Sequence, residues 1–273
     1  MQTSSTAFRV QCGLWAMLLW AVAHPGFAQE FRVDSEVFHG DDKQPIVATL
    51  TVFTKGLAYD FQLTEPKEIT IFDPTRGHFT MLDRARAIKT DVSTQDLLQY
   101  SLDLETQAAA SKNSLIAFAA QPQFATAVEE VVENGEKRTR FTFTGKPLGY
   151  VVLGQTPPEA EMARIYRNFA DWSARLNATR THSLPANARL VLNEALAEKG
   201  LLPLEVKRVI TPFNPLGKKD EMRSQHLVNG TLSNKDQGEV NDADTFRAKF
   251  RPVSYDEYRA LPPKDLIKKQ AKR

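Results

Sequence analysis

The stretch that decides the fold is residues 46–72, IVATLTVFTKGLAYDFQLTEPKEITIF. Residues 46–53 are apolar or threonine throughout, which is typical of a deeply buried strand. After a turn at Lys55-Gly56, apolar and polar residues alternate over 59–63, and residues 68–72 form a third short run. No helix long enough for a parallel crossover fits between these runs. The pattern therefore predicts an antiparallel meander.

The same pattern continues on both sides of this stretch. Phe31, Val33 and Val37 alternate with charged residues, and residues 78–82 are a further short apolar run, so both segments are predicted strands. A helix is predicted over residues 93–110, because Ser93 and Asp96 resemble a capping box. The N-terminal half is thus predicted to be mostly sheet, followed by one helix.

A second hairpin is predicted around Asn134-Gly135, the strongest short-range signal for a two-residue β-turn. Such a loop places Val128 opposite Phe141 on one face and Glu129 opposite Arg140 on the other. This register pairs apolar with apolar and acidic with basic side chains, as cross-strand pairing prefers. One further strand is predicted at residues 148–153.

The most regular helical pattern follows. Thr156 and Glu159 have capping-box spacing, and Pro157 would occupy the first helical position. The apolar residues then recur at steps of three and four, which defines one face of a helix: Met162, Ile165, Phe169, Trp172 and Leu176. A shorter helix and two more strands are predicted at residues 185–199, 204–210 and 225–232.

These elements predict an α+β fold in which a strongly curved antiparallel sheet, an open half-barrel, packs against amphipathic helices. We divide the chain into a signal peptide at residues 1–28, a single α+β domain at 29–232 and a polar, basic C-terminal extension at 233–273. That extension ends in a run of basic residues that includes Lys264, Lys268 and Lys269. A solvated terminus or a contact with an anionic surface would both fit this run.

The first 28 residues resemble a secretory leader. Arg9 precedes an apolar run over residues 13–23, and small residues at Gly26 and Ala28 suit signal peptidase. The run is shorter than the roughly 20 residues that a spanning helix needs, so we expect no stable membrane span. Cleavage near Ala28 would send the protein to the periplasm or the extracellular space. Cys12 is the single cysteine and would be lost with the leader, so disulfides and thiolate chemistry are not expected.

Composition narrows the possible partners. The formal net charge is only +2, whereas a dedicated nucleic-acid-binding protein carries a strong basic excess. A hydrophobic fraction of 42% and a charged fraction of 25% are ordinary for a globular protein. We therefore expect no nucleic-acid partner, and the oligomeric state is left open.

Signatures of catalysis are not apparent in the sequence. It contains no Gly-x-Ser-x-Gly elbow, no His-Glu-x-x-His and no phosphate-binding glycine loop. His39 near Asp41 and Asp42 could contribute to a cation site, and a solvated turn explains these residues equally well. Asp73, before a turn, fits a turn cap better than a catalytic role. No metal site and no cofactor are predicted.

One resemblance adds to this interpretation. The chain resembles the periplasmic outer-membrane lipoprotein carrier superfamily in its repeated pattern of short strands and turns. The segments that carry this pattern are GLAYDF at residues 56–61, EITIFDP at 68–74 and FTMLD at 79–83. The resemblance covers about residues 30–155. It implies an open, curved antiparallel half-barrel whose concave side is closed by helices over an apolar cavity.

Our leading hypothesis is a non-enzymatic cell-envelope protein that binds an apolar or acylated ligand between sheet and helices, with a lipid or an acylated protein as partner. The candidate ligand-binding residues are Met162, Ile165, Phe169 and Trp172, whose default role is that of core residues. One alternative is a secreted hydrolase whose acid and base residues converge only in the fold. The other is a structural or interaction module whose sheet edge pairs with a partner.

Overall fold

The computed structural model describes residues 29–212 and 217–260. The predicted signal peptide and the basic end from Lys264 onward lie outside the described residues. The strands are β1 Phe31–His39, β2 Val47–Thr54, β3 Leu57–Gln62, β4 Glu68–Asp73, β5 His78–Asp83, β6 Ile88–Ser93, β7 Ala125–Glu133, β8 Glu136–Thr144, β9 Leu148–Gln155, β10 Leu202–Ile210, β11 Asp220–Asn229 and β12 Arg251–Pro252. The helices are α1 Thr94–Ala109, α2 Ser114–Ala120, α3 Ala160–Ala178, α4 Asn187–Glu198, α5 Asn234–Lys249 and α6 Tyr255–Arg259.

All of these strands belong to one 12-stranded sheet, in the order β12-β6-β5-β4-β3-β2-β1-β11-β10-β9-β8-β7. Every neighbouring pair is antiparallel except β12 and β6. The sheet is open, since β12 and β7 form its two edges. The predicted α+β class with an antiparallel sheet is confirmed.

The predicted meander of residues 46–72 is present as β2, β3 and β4, each paired with the next. β5 and β6 extend it in the same up-and-down order. On the other side, β1 pairs with β2 and also with β11, which comes almost 190 residues later. This long-range pairing joins the N-terminal meander and the C-terminal strands into one continuous sheet.

One face of the sheet is covered mainly by α3 and α4. On the meander side, Phe31 and Phe53 stack at 4.2 Å between ring centroids, and Phe169 of α3 meets Phe53 edge-on at 5.6 Å. On the other side, Leu192 and Leu196 of α4 pack against a separate cluster from the last strands of the sheet. The two helices therefore bury two neighbouring halves of the same face.

The opposite face of the meander is covered by α5. Val240 and Ala243 are buried against a third cluster that includes Val52 and Phe61. Ser233 and Asp236 form a full capping box, and Asp236 also accepts a hydrogen bond from Arg32 of β1 at 2.6 Å. The sequence predicts only a polar, basic extension after residue 232 and assigns no element to it. The described part of that extension is nevertheless folded against the sheet, because few apolar residues suffice to dock a helix whose start is well capped.

Helix α3 begins later than predicted. We expected a capping box at Thr156 and Glu159, but α3 begins at Ala160, and Glu159 as its N-cap makes no side-chain hydrogen bond to the helix. The physical reason is the pair Pro157-Pro158, because a residue that precedes proline is disfavoured in the helical region. The capping-box prediction was therefore wrong, whereas the apolar face of the helix was placed correctly.

The predicted hairpin at Asn134-Gly135 is confirmed, with Val128 opposite Phe141 and Glu129 opposite Arg140. Both turn residues have positive φ, 52° for Asn134 and 82° for Gly135, as a type I′ turn requires. Strand β6 and the short helix α2 were not predicted. No helix in the described ranges is both long and apolar enough to cross a membrane.

Candidate functional site

A cavity of about 680 Å³ lies on the face of the sheet that α3 and α4 do not cover. Its side of the sheet follows from strand alternation. Val33 and Val228 pack towards α3, so their neighbours Asp34 and Leu227 point the other way, into the cavity. The cavity is lined by β1, β2, β9, β10, β11 and the β7–β8 hairpin, and by Leu63 just after β3.

The cavity has an apolar part formed by leucines. Leu227 is 67% exposed and Leu63 is 52% exposed, and both belong to its lining. Leu153 and Leu204 line it as well, together with Ala48. Two exposed leucines in one hollow differ from the scattered exposed apolar side chains common on protein surfaces.

The polar part of the lining is acidic. It holds five carboxylates, against the single guanidinium of Arg138: Asp34, Glu36, Glu133, Glu136 and Glu205. Three of them are paired, Asp34 with Arg32 at 2.5 Å, Glu136 with Arg138, and Glu205 with Arg223 at 3.7 Å. Glu36 and Glu133 form no ion pair with any described residue. Negative charge therefore remains at the rim, on β1 and at the hairpin tip.

A buried histidine adjoins the cavity from the helix-covered face, and together with Ser35 it belongs to the cavity lining. His226 is only 8% exposed, and its ring lies between two serine hydroxyls, Ser35 at 2.9 Å from Nδ1 and Ser224 at 3.0 Å from Nε2. Burial, and after it the positive charge of Arg189, lowers the pKa of His226 to about 3. The ring is therefore neutral at neutral pH, and one nitrogen donates a hydrogen bond while the other accepts one.

Such a histidine is a satisfied buried residue, and a base of this pKa is a weak one near pH 7. His226 was not among the candidate site residues drawn from the sequence. The spacing Ser224-x-His226 was the available signal, since it places both side chains on one face of a strand. Its second partner, Ser35, is 191 residues away and could not be inferred.

The sequence-predicted ligand residues all lie on the sheet-facing side of α3. Met162 and Phe169 are buried in the cluster that contains Phe53 and Phe72, and Ile165 and Trp172 pack against the same cluster. Arg175 lies over the Trp172 ring, 5.0 Å from its centroid. The structure thus brings the four residues together, but none of them lines the cavity described above. Their role in ligand binding stays a prediction.

The other candidates from the sequence are separated. Asp73 accepts hydrogen bonds from the backbone N–H groups of Thr75 and Arg76, so it is a turn cap. His39 lies 3.4 Å from Asp220 at the start of the neighbouring strand β11. Within residues 29–212 and 217–260, no three His, Cys, Asp or Glu side chains are placed to hold a metal ion.

Comparison with known proteins adds little to this picture. No protein-family model matches the chain, and no curated protein matches it. Two solved structures of PNGF-II, in space groups C2 and P21, are similar over 89% of this chain at 11% identity, with TM-scores of 0.39 and 0.37. This chain spans only about a third of their length, 33% and 34% respectively.

Proposed function

We propose that the protein is a non-enzymatic cell-envelope protein that binds an apolar or acylated ligand. The observation that carries the proposal is the 680 Å³ cavity with its leucine wall. A cavity of this size is within the range of small-molecule sites, which combine an apolar wall with a few polar groups. The ligand in this proposal is a lipid or the acyl group of an acylated protein.

The proposal includes a strongly curved sheet. Ala48 of β2 and Arg138 of β8 line the same cavity although four strands separate β2 from β8 in the sheet. In a flat sheet those strands would be roughly 24 Å apart. Curvature towards the cavity face explains how both strands reach it.

The charges of the rim suggest which head group the ligand carries. With carboxylates in excess and Glu36 and Glu133 unpaired within the described chain, an anionic head group would be repelled. An acyl chain on a neutral or cationic head would place its apolar part against Leu227 and Leu153 and its head at the acidic rim. A free fatty acid is therefore the less favoured ligand.

Location is part of the same proposal. The leader-like residues 1–28 support export to the periplasm or the extracellular space, where acylated proteins and lipids are exposed. The resemblance of residues 30–155 to the lipoprotein carrier superfamily points in the same direction.

The test is titration with two dansyl probes of equal chain length, a fatty acid and an alkyltrimethylammonium. We expect saturable binding of both, at least fivefold tighter for the cationic probe, with a smaller difference at high salt because screening weakens the rim charges. Leu227→Arg should weaken binding of the cationic probe at least tenfold, since it places a long cationic side chain in the apolar wall.

Two variants provide controls. Leu102→Arg changes a similarly exposed leucine, 51% exposed, on α1 away from the cavity, and should leave binding unchanged. Trp172→Ala should cost up to about 3–5 kcal/mol of folding stability without a specific loss of binding. If Trp172→Ala abolishes binding and Leu227→Arg does not, the ligand lies between α3 and the sheet. If neither probe binds saturably, the proposal fails.

A further inference from the structure

The two edges of the sheet are closed to different degrees. At one edge, β12 has only two residues, Arg251–Pro252, and proline cannot donate a ladder hydrogen bond. At the other, β7 is nine residues long, contains no proline and is exposed over nearly its whole length. Natural proteins usually protect long edges with proline, a bulge, lysine or a covering element. Within the described chain, β7 has none of these, and of the charged residues that also protect strand edges it carries only glutamates.

The turn determines which backbone groups of β7 are free. Glu133 and Glu136 flank the two-residue turn and exchange backbone hydrogen bonds. Every second residue of β7, counted from Glu133 towards the N-terminus, therefore points its N–H and C=O groups at β8. The intervening residues point these groups away from the sheet: Thr126, Val128, Glu130 and Val132. Four residues thus offer an extended donor and acceptor pattern to an incoming strand.

The side chains of three of these residues, Val128, Glu130 and Val132, alternate between apolar and acidic. Strand alternation places them on the face that α4 covers, but they lie beyond the reach of the helix: Val128 is 49% exposed and Val132 is 73% exposed. Between them lies Glu130, which accepts a hydrogen bond from the Thr139 hydroxyl at 3.0 Å and forms no ion pair with a described residue. The edge therefore presents apolar, acidic and apolar side chains at alternate positions.

We propose that β7 is a docking edge for an extended segment of another protein, whose side chains at alternate positions are apolar, basic and apolar. Such a segment would add a thirteenth strand, with its apolar residues opposite Val128 and Val132 and its basic residue opposite Glu130. The pattern is symmetric, so it suits a strand of either direction.

Charge favours this partner over a second copy of the chain. β7 carries Glu129, Glu130 and Glu133, and two such edges would oppose like charges, whereas a basic segment complements them. Glu129 is already paired with Arg140 at 3.2 Å, which leaves Glu130 and Glu133 to attract the partner.

The test uses a fluorescein-labelled peptide with valine, lysine and valine at alternate positions separated by threonine, measured by fluorescence anisotropy. We expect saturable binding, and at least tenfold weaker binding of a peptide with glutamate in place of lysine. Val128→Pro should weaken binding at least tenfold, because it removes an outward N–H without removing a bond to β8. Circular dichroism should show that this variant keeps its fold.

A second variant leaves the backbone unchanged. Glu130→Lys should reverse the preference, so that the glutamate peptide binds more tightly than the lysine peptide. If the lysine peptide does not bind, or if Val128→Pro and Glu130→Lys bind both peptides as the wild type does, the proposal is overturned. It is also overturned if sedimentation shows a wild-type dimer that Val128→Pro dissociates, because a second copy would then occupy the edge.

Discussion

A partly buried aspartate and a buried histidine on the face that α3 and α4 cover respond to pH with opposite signs. Burial raises the pKa of Asp60 to about 6, although the hydrogen bond from Thr51 at 2.8 Å and the charge of Arg180 oppose the rise. Burial lowers the pKa of His226 to about 3. The folded state therefore binds the Asp60 proton more tightly than the unfolded chain does, and the His226 proton less tightly. Asp60 destabilises the fold as pH rises from about 4 to 6, and His226 destabilises it as pH falls below about 6.5.

Asp60→Asn should remove the first of these effects. The asparagine oxygen can still accept the Thr51 hydrogen bond, but it carries no charge to bury. We expect the variant to match the wild type near pH 4 and to exceed its free energy of unfolding by roughly 1–3 kcal/mol near pH 7. Urea unfolding at a series of pH values measures this difference.

The matched control is Asp91→Asn, because Asp91 accepts a similar cross-strand hydrogen bond from Thr80 at 2.5 Å but is exposed. That substitution should alter stability by no more than about 0.5 kcal/mol at pH 7. Equal stability of Asp60→Asn and the wild type at pH 7 would show that the buried charge carries no cost.

At the scale of elements, a local sequence motif formed the expected structure where its neighbours allowed the backbone conformation that the motif needs. The Asn134-Gly135 turn determined the register of β7 and β8 over the whole hairpin. At the start of α3, the Pro157-Pro158 pair overrode the capping-box spacing of Thr156 and Glu159. A local motif is therefore reliable only when the neighbouring residues permit its backbone conformation.

Gly135→Val should destabilise the protein by about 1–2 kcal/mol, since a β-branched residue resists the left-handed conformation that φ of 82° requires. No atom lies within 4 Å of the position that its Cβ would occupy, so the cost comes from the backbone and not from a clash. Thermal unfolding measures the change. The same substitution at Gly238, which has equally open space but lies within α5, should not destabilise. An unchanged melting temperature for Gly135→Val would contradict the turn type.

At the scale of the whole molecule, one sheet unites segments that are far apart in the chain. β11 lies between β1 and β10, so the N-terminal meander and the C-terminal strands share one hydrogen-bonded network. Helices α3 and α4 cover hydrophobic clusters on one face of the sheet, and α5 covers a third cluster on the other face. The cavity lies where β1, β10 and the β7–β8 hairpin come together without a covering helix.

The leader-like sequence of residues 1–28 leads to a prediction about processing of the chain. Expressed in a Gram-negative host, the protein should be recovered outside the cytoplasm with Gln29 within a residue or two of its N-terminus, because Gly26 and Ala28 suit signal peptidase. N-terminal sequencing of the secreted fraction checks this. Replacement of Ala28 by a large residue should block cleavage at that site. Recovery of the wild type from a membrane fraction with Met1 retained would contradict the prediction.

The sequence alone determined the local elements. Alternation identified the meander, the Asn-Gly pair identified a hairpin and its register, and helical spacing identified the apolar face of α3. These signals are readable because each depends on residues only a few positions apart. The predicted ligand residues were those of that apolar face, and the structure packs them into the core beside Phe53.

Only the tertiary structure decided the rest. The Ser35–His226–Ser224 contact, the docking of α5 and the cavity depend on pairings between residues up to about 190 positions apart. Strand order carries no local signal, because the backbone of a strand can form antiparallel hydrogen bonds with many partner strands. The packing of side chains on both faces of the sheet selects one arrangement. The location of the cavity follows from that arrangement, and for this reason it could not be read from residue patterns.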